Sequence, residues 1–335
     1  MLRKHNRSVI AFMFIISLVI LLGCNSAGTG DQRQFLSVGT APPGGAFFVV
    51  GGAIAQAVSE NVGELGWQVS AEATKGTQEN IRRLIGGELD FALANAAISY
   101  FAVRGQGAWE KEYAIRSVMT LAPNIALFIT PKSTGIKRLQ DLKGKRVVIG
   151  PAGAGFEYFV RPILEAHGVS YDDFTPLNNT QAGAVDMLAD GSAAAAFLGG
   201  AVPTASIVQV SASQDIFFVP FGEEEKRSLI ESYPFFYPAS IPAGTYRGQD
   251  EEFAGMNVGS MHLITAATVD EETVYQFTKI LYEHRAEVVK KHPAGKAINP
   301  KNVIRDTGTP FHPGAIRFYK EIGIWPDQSA SVSTK

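Results

Sequence analysis

From Phe35 onward the chain alternates short apolar runs with stretches of helical periodicity, the pattern of an α/β fold with parallel strands. Phe35–Val38 reads as a strand and is followed by the loop Gly39-Thr40-Ala41-Pro42-Pro43-Gly44-Gly45. The spacing then predicts a helix from about Ala46 to Asn61, with Ile54 and Val58 on one face. A strand near Trp67–Ala71 leads into a helix that stops at Gly86-Gly87, and Leu89–Ala94 is the next strand. The plan then returns. Arg146–Ile149 is a strand, Gly150-Pro151-Ala152-Gly153-Ala154-Gly155 is the loop, and Phe156 to Ala166 is a helix with Phe159 and Ile163 on its buried face. Strand Phe174–Leu177, helix Gln181–Ala189 and strand Ala193–Leu198 complete the second copy. Two lobes on one template are expected; a single doubly wound sheet is the alternative, disfavoured by the matched loop positions.

Between the copies, Ile125–Thr130 is an apolar strand, and Val258–Ala266 is another run after the Pro- and Gly-rich stretch Pro238–Gly248. These two are expected to carry the chain out of one lobe and back. The last third reads as helical: Asp270 to His292 as one helix, capped by Thr268 or Asp270, a short helix after Pro300, and another from about Pro313 to Glu321. The expected division is 35–130 plus 242–326 for lobe I, 131–241 for lobe II, and a polar tail over 327–335.

The start of the chain has a different pattern. A short basic segment (Arg3, Lys4, Arg7) precedes an apolar stretch from Val9 to Leu22, too short for the ~20 residues of a spanning helix. It reads as a secretory leader over 1–23. The only cysteine of the 335 residues, Cys24, follows directly after Gly23, as in a bacterial lipobox, where it becomes the acylated first residue. An ordinary leader with an incidental cysteine is the alternative. Asn25 to Gln34 is small and polar, a leash. The expected location is the cell envelope, with the lipid bilayer as a partner through acylated Cys24.

Cleavage before Cys24 moves the net charge from −2 to −5, because it removes three basic residues and no acidic ones. A mildly acidic domain offers no footprint for nucleic acid. With its one cysteine acylated, the mature chain forms no disulfide and relies on core burial, which its 46% hydrophobic content supports. No second apolar run reaches spanning length.

Both Gly-rich loops join a strand to a helix N-terminus, where free N–H groups and the helix dipole favour an anion. One loop alone is a weak signal; one per lobe suggests a carboxylate held between lobes at the carboxyl ends of the strands. The polar loop Ala73-Thr74-Lys75-Gly76-Thr77-Gln78-Glu79-Asn80 is a third candidate, with Thr77 equally suited to capping and to ligand contact. Enzyme signatures are missing: no G-x-S-x-G, H-E-x-x-H, P-loop or C-x-x-C occurs, and the histidines lack metal-ligand spacing. No cofactor or metal is expected. Glu223-Glu224-Glu225 reads as solvated or helix-starting charge, and Phe235-Phe236 as core or interlobe packing.

The chain resembles the solute-binding subunits of tripartite ATP-independent periplasmic (TRAP) transporters, in the TAXI branch. The resemblance spans about Phe35 to Ile324. Its anchors include Val38-Gly39-Thr40…Gly44-Gly45, Glu72-Ala73-Thr74…Glu79-Asn80-Ile81, Gly87-Glu88-Leu89-Asp90, Leu139-Gln140-Asp141-Leu142-Lys143-Gly144-Lys145-Arg146-Val147, Ile241-Pro242-Ala243-Gly244-Thr245-Tyr246 and His312-Pro313-Gly314-Ala315. It implies a two-lobe type II periplasmic-binding-protein fold, a small-acid ligand, TRAP membrane subunits as partners and a monomer without enzymatic activity. Several positions depart from the family pattern. An aromatic pair usually carrying tyrosines is Phe47-Phe48, a Thr-Gly-Gly-Ser segment is Thr74-Lys75-Gly76-Thr77, a Gln-Ser-Asp-like trio is Asn95-Ala96-Ala97, and a Gly-Ser-Gly-Thr loop is Gly153-Ala154-Gly155-Phe156. Hydroxyls and a carboxylate are lost and a cation is gained, which points to an acid without an α-amino group, or a more apolar acid.

The expected ligand-binding set is therefore Thr40, Gly44, Gly45, Phe47, Phe48, Thr74, Lys75, Thr77, Asn80, Asn95, Gly153, Ala154, Gly155, Phe156, Glu157 and Gly199. Helix N-termini at Gly45 and Gly155 would hold the carboxylate, with Thr40, Thr77 and Asn80 orienting it. Two other classes stay open: a ligand-sensing lipoprotein that reports to a signalling receptor, and an envelope enzyme that would need Glu157 or His262 in the cleft beside a base.

Overall fold

The computed structural model describes residues 34–43 and 45–326. The expected leader, Cys24, nearly all of the leash, Gly44 and the tail over 327–335 lie outside the described residues. Gln34, the expected end of the leash, is the first residue of a strand.

Two sheets are present, and each begins with the same block. In the first, strands β1 (Gln34–Gly39), β2 (Trp67–Glu72) and β3 (Phe91–Asn95) run parallel in the order β2-β1-β3. Helices α1 (Ala46–Ser59) and α2 (Thr77–Ile85) make the crossovers. In the second, β6 (Arg146–Gly150), β7 (Thr175–Asn178) and β8 (Ala195–Gly200) are parallel in the order β7-β6-β8, linked by α4 (Glu157–Ala166) and α5 (Gln181–Ala189). The repeat read from the pattern is thus a repeat of topology.

Each sheet is extended by strands that arrive from across the molecule. In the first sheet, β12 (Met261–Ala266) pairs antiparallel with β3 and with β4 (Ile115–Thr120). In the second, β5 (Ile125–Pro131) pairs antiparallel with β8, with β11 (Phe253–Val258) and with β9 (Ile216–Val219), while β10 (Phe236–Ile241) closes the edge on β11. The chain therefore crosses between sheets at 120–125 and 258–261. This moves the expected boundaries: 125–130 and 253–258, expected in lobe I, both belong to the second sheet. Ladder pairing decides it, since β5 bonds β8 from Ile125 onward.

The helices follow their apolar faces. In α1, Val50, Ile54 and Val58 are buried at i, i+4 and i+8, and Gly51 lets the helix approach Thr40, whose Cγ2 a Cβ would strike. Asp270 caps α8 (Glu271–Glu283) by accepting from Thr273 N–H at 2.9 Å. The long C-terminal helix is two, since the chain leaves α-geometry at His284 before α9 (Arg285–Lys291). A turn, not a helix, follows Pro300. His312 caps α10 (Pro313–Glu321), its Nδ1 accepting from Gly314 N–H at 3.2 Å. Two helices lie outside the sequence expectation, α3 (Ala96–Ala102) and α6 (Ala205–Ser213), while α7 (Glu223–Ser232) starts on the acidic triplet, the second of the two readings given for it. Among the described residues, no helix is long and apolar enough to cross a membrane.

The lobes are not separate cores throughout. Helix α3, from the first lobe, packs on α4, and one apolar cluster runs from Ile98 and Trp109 to Phe159 and Phe235. Trp109 stacks on Tyr158 with centroids 5.9 Å apart, and Tyr100 meets Phe235 edge-on at 5.2 Å. Phe235 is thus interlobe packing.

Candidate functional site

A cleft lies between the lobes, with about 800 Å³ of empty space including the part open to solvent. Its walls come from the carboxyl ends of the parallel strands in both sheets: 41–47 after β1, 75–77 after β2, Asn95 at the end of β3, 151–156 after β6, 180–181 after β7, and Gly199 on β8. Strand ends gather the loops there because the crossover helices all return along the sheet faces. Asn124 and Ala126, at the first crossing, form the floor.

Of the expected residues, Gly45, Phe47, Lys75, Thr77, Asn95, Ala154, Phe156 and Gly199 line this cleft. Gly44 lies outside the described residues. The others do not line it, and their hydrogen bonds explain why. Thr40 is buried, and its hydroxyl donates to Glu72 C=O at 2.8 Å. Its own carbonyl accepts from Thr74 Oγ1 at 3.1 Å and from Asn80 Nδ2 at 2.8 Å; Asn80 also donates to Leu93 C=O at 2.8 Å. Thr40, Thr74 and Asn80 are therefore a brace that ties the first glycine loop to β2, α2 and β3, rather than groups orienting a ligand. Phe48 turns away from the lining on α1. Gly153 is exposed at φ +74°, Gly155 packs against Ile98, and Glu157 opens α4 without reaching the cleft.

Thr77 does not cap α2; Gly76, at φ +118°, holds that position. The Thr77 hydroxyl instead accepts from Asn95 N–H at 2.9 Å, which joins the helix start to β3. Asn95 is the N-cap of α3: its Oδ1 accepts from Ala97 N–H at 2.9 Å, and its Nδ2 donates to Gly259 C=O at 3.0 Å across the second crossing. A Cβ at Gly259 would collide with Asn95 Oδ1, so the glycine is required by this contact. Gly199 likewise leaves no room for a Cβ against Ala126, and its N–H and C=O are both held by Gln181 at 3.3 and 2.7 Å.

The lining has one charged side chain, Lys75, which is exposed and has no carboxylate partner among the described residues. Its other polar side chains are Thr77, Asn95, Asn124, Thr180 and Gln181; the remainder are glycines and apolar residues. Helices α1, α2 and α5 all begin at this cleft. Thr180 caps α5 by accepting from Gly183 N–H at 3.1 Å. The arrangement suits an anion with apolar parts.

Besides Ala41, Ala46 and Gly76, which neighbour expected residues, sequence reading missed Pro42, Pro43, Ile98, Asn124, Ala126, Pro151, Phe159, Thr180 and Gln181 in this lining. Thr180 before a helical run was a legible cap signal, and so was Asn95 before Ala96–Ala102. Nothing marks Asn124 in sequence, because its role comes from the crossing.

His262 does not enter the cleft. It is fully buried on β12, its Nε2 lies 2.9 Å from Ser99 Oγ, and burial pushes its imidazole down to about 3. With Glu157 also outside, the enzyme reading lacks the reactive pair that it required. Among the described residues no three His, Cys, Asp or Glu side chains gather as a metal site.

Two sheets of matched order, crossed twice by the chain and enclosing a cleft at their strand ends, constitute the two-lobe fold of periplasmic binding proteins. The chain belongs to the NMT1-like family, which matches residues 38–323. Its fold is similar to that of a binding-protein component of an ABC phosphonate transporter from Pseudomonas aeruginosa, at 12% identity over 77% of this chain and 79% of that one, with a TM-score of 0.51. A protein of Bordetella bronchiseptica is similar at 14% identity over 88% and 91%, with a TM-score of 0.53.

Proposed function

We propose that this protein is an extracytoplasmic solute-binding lipoprotein that captures a small organic acid and delivers it to TRAP membrane subunits. The observation that carries the acid is Lys75, among the described residues the one charge in the cleft lining and without a carboxylate partner, near the start of α2. A cation and uncapped helix N–H groups at one end of a cleft attract a carboxylate, whereas no carboxylate is offered to an ammonium group. The binding-protein fold and the TAXI resemblance supply the role in delivery: lobe closure presents a composite surface to a membrane partner. Acylation of Cys24 keeps the receptor near that partner, because several acyl chains anchor where one holds only marginally.

Thermal-shift screening against mono- and dicarboxylates, amino acids and neutral sugars tests the ligand class. Acids are expected to raise the melting temperature; a preference for glutamate, glutamine or a neutral solute contradicts the reading. Lys75→Ala is expected to weaken acid binding about tenfold or more, with the melting temperature of the free protein unchanged. Membrane association lost in Cys24→Ser, and co-purification with TRAP subunits, test the anchor and the partner.

A further inference from the structure

The cleft's hydrogen-bonding capacity restricts the acid further, resting on the reading above that the cleft takes an acid. Thr77 (6% exposed) and Thr180 each spend an oxygen lone pair on a backbone N–H. Neither hydroxyl proton has an acceptor among the described residues, so both are left to donate into the cleft. Asn95 has no such freedom, and Gln181 keeps only one N–H to spare. Asn95 is engaged through both side-chain atoms, and Gln181 donates to Gly199 C=O while accepting from Gly199 N–H and from Ser206 Oγ at 2.7 Å.

Asn124 is the exception among the amides. It is 7% exposed, and its backbone is fixed, N–H donating to Asn257 Oδ1 at 2.8 Å and C=O accepting from Val258 N–H at 2.9 Å. Its carboxamide makes no hydrogen bond to the described residues, and it lines the cleft at the crossing between lobes. Open to the cleft and without a protein partner, this amide needs one from any ligand that displaces water there. Phe156, Phe159, Ile98, Ala126 and Pro151 line the same cleft, surfaces that cannot compensate a charge.

One cation, the uncapped starts of α1 and α2, two outward hydroxyl donors, one spare N–H of Gln181, one free amide and no carboxylate define what fits. A second carboxylate would have no second cation to pair with, and an ammonium group would meet Lys75 with no counter-charge. We infer that the ligand is a monocarboxylate with a compact apolar body, aromatic or branched aliphatic, bearing an uncharged oxygen that pairs with Asn124. Lys75 fixes the charge; Asn124 is the specificity residue for the neutral oxygen.

Calorimetric titration of the mature protein tests this with 4-methyl-2-oxopentanoate and phenylpyruvate against 2-oxoglutarate, leucine and 4-methylpentanoate. Both oxo monoacids are expected to bind at least about tenfold tighter than 2-oxoglutarate and leucine. Asn124→Ala is expected to weaken 4-methyl-2-oxopentanoate several-fold and to leave 4-methylpentanoate, which lacks the oxo group, unchanged. If 2-oxoglutarate binds as tightly as the monoacids, the apolar monoacid is overturned and the acid-binding reading stands. If no acid binds, both fall. Equal weakening of both acids by Asn124→Ala overturns the assignment of that residue.

Discussion

The two glycine loops occupy equivalent places, after β1 and after β6, yet they are built for different work. The first leaves Gly45 as an uncapped N-terminus of α1, with open space around it: a Cβ there would approach nothing nearer than Pro42 O at 3.9 Å. Its rigidity comes from outside, through Thr40, Thr74 and Asn80. The second carries its constraints within. Gly150 sits at φ +115°, and a Cβ would lie 2.5 Å from Phe156 Cδ1; Gly155 sits at φ +90°, 2.9 Å from Ile98 Cδ1 by the same measure. Its glycines let an aromatic wall come close. The first lobe therefore supplies the one charge of the lining, Lys75, and the second supplies Phe156 and Phe159, while both lobes add further apolar residues. A shared template with glycine at matched positions does not imply a shared contact with the ligand.

The largest test of this contrast is a pair of glycine substitutions. Gly150→Ala should cost about 2–4 kcal/mol in chemical denaturation, since it adds left-handed strain and a clash with the wall. Gly45→Ala should cost no more than about 1 kcal/mol, the penalty of a poor N-cap. Equal costs would remove the distinction between the loops.

Asn80 sharpens the first half. Asn80→Leu takes a donor from two buried carbonyls and should destabilise by about 1–3 kcal/mol, while a folded variant keeps the wild-type order of ligand preference. A changed preference with unchanged stability would return Asn80 to the binding set.

Acid should act mainly through the first lobe. Burial lowers the imidazoles of His262, His292 and His312, all in that lobe, below their ordinary value of 6.5. A group whose folded value is depressed takes up its proton more readily when unfolded, so its stabilisation is complete above pH 6.5 and is lost as pH falls. For His262 the window runs from about 6.5 down to about 3. Its share of the loss near pH 5 is about 2 kcal/mol. Denaturation midpoints across this range should fall, and His262→Gln should flatten the slope.

Much of the fold was legible because period and punctuation agree. The helices at Gln181–Ala189 and Pro313–Glu321 and the strand at Ile125 carry clean boundaries, and both glycine loops lie at strand-to-helix turns. What failed to show were relations between distant segments. Val258–Ala266 reads as one apolar run, but Gly259-Ser260 splits it at the crossing between sheets. The same crossings hide Asn124. In the cleft lining, Gly45, Gly199, Phe47, Phe156, Thr77 and Asn95 fall where the sequence pointed, whereas Phe48, Gly153, Gly155, Thr40, Thr74 and Asn80 do not. A polar residue at a loop serves a ligand or a backbone carbonyl equally well in sequence, and only the partner's position separates Thr40 from Thr77.

The most direct test is a crystal structure with the acid bound. The account predicts a carboxylate within hydrogen-bond distance of Lys75 Nζ and Thr77 Oγ1, with the ligand's apolar body against Phe156 and Phe159. A carboxylate seated at Thr180 in the second lobe, with Lys75 free in solvent, would contradict it.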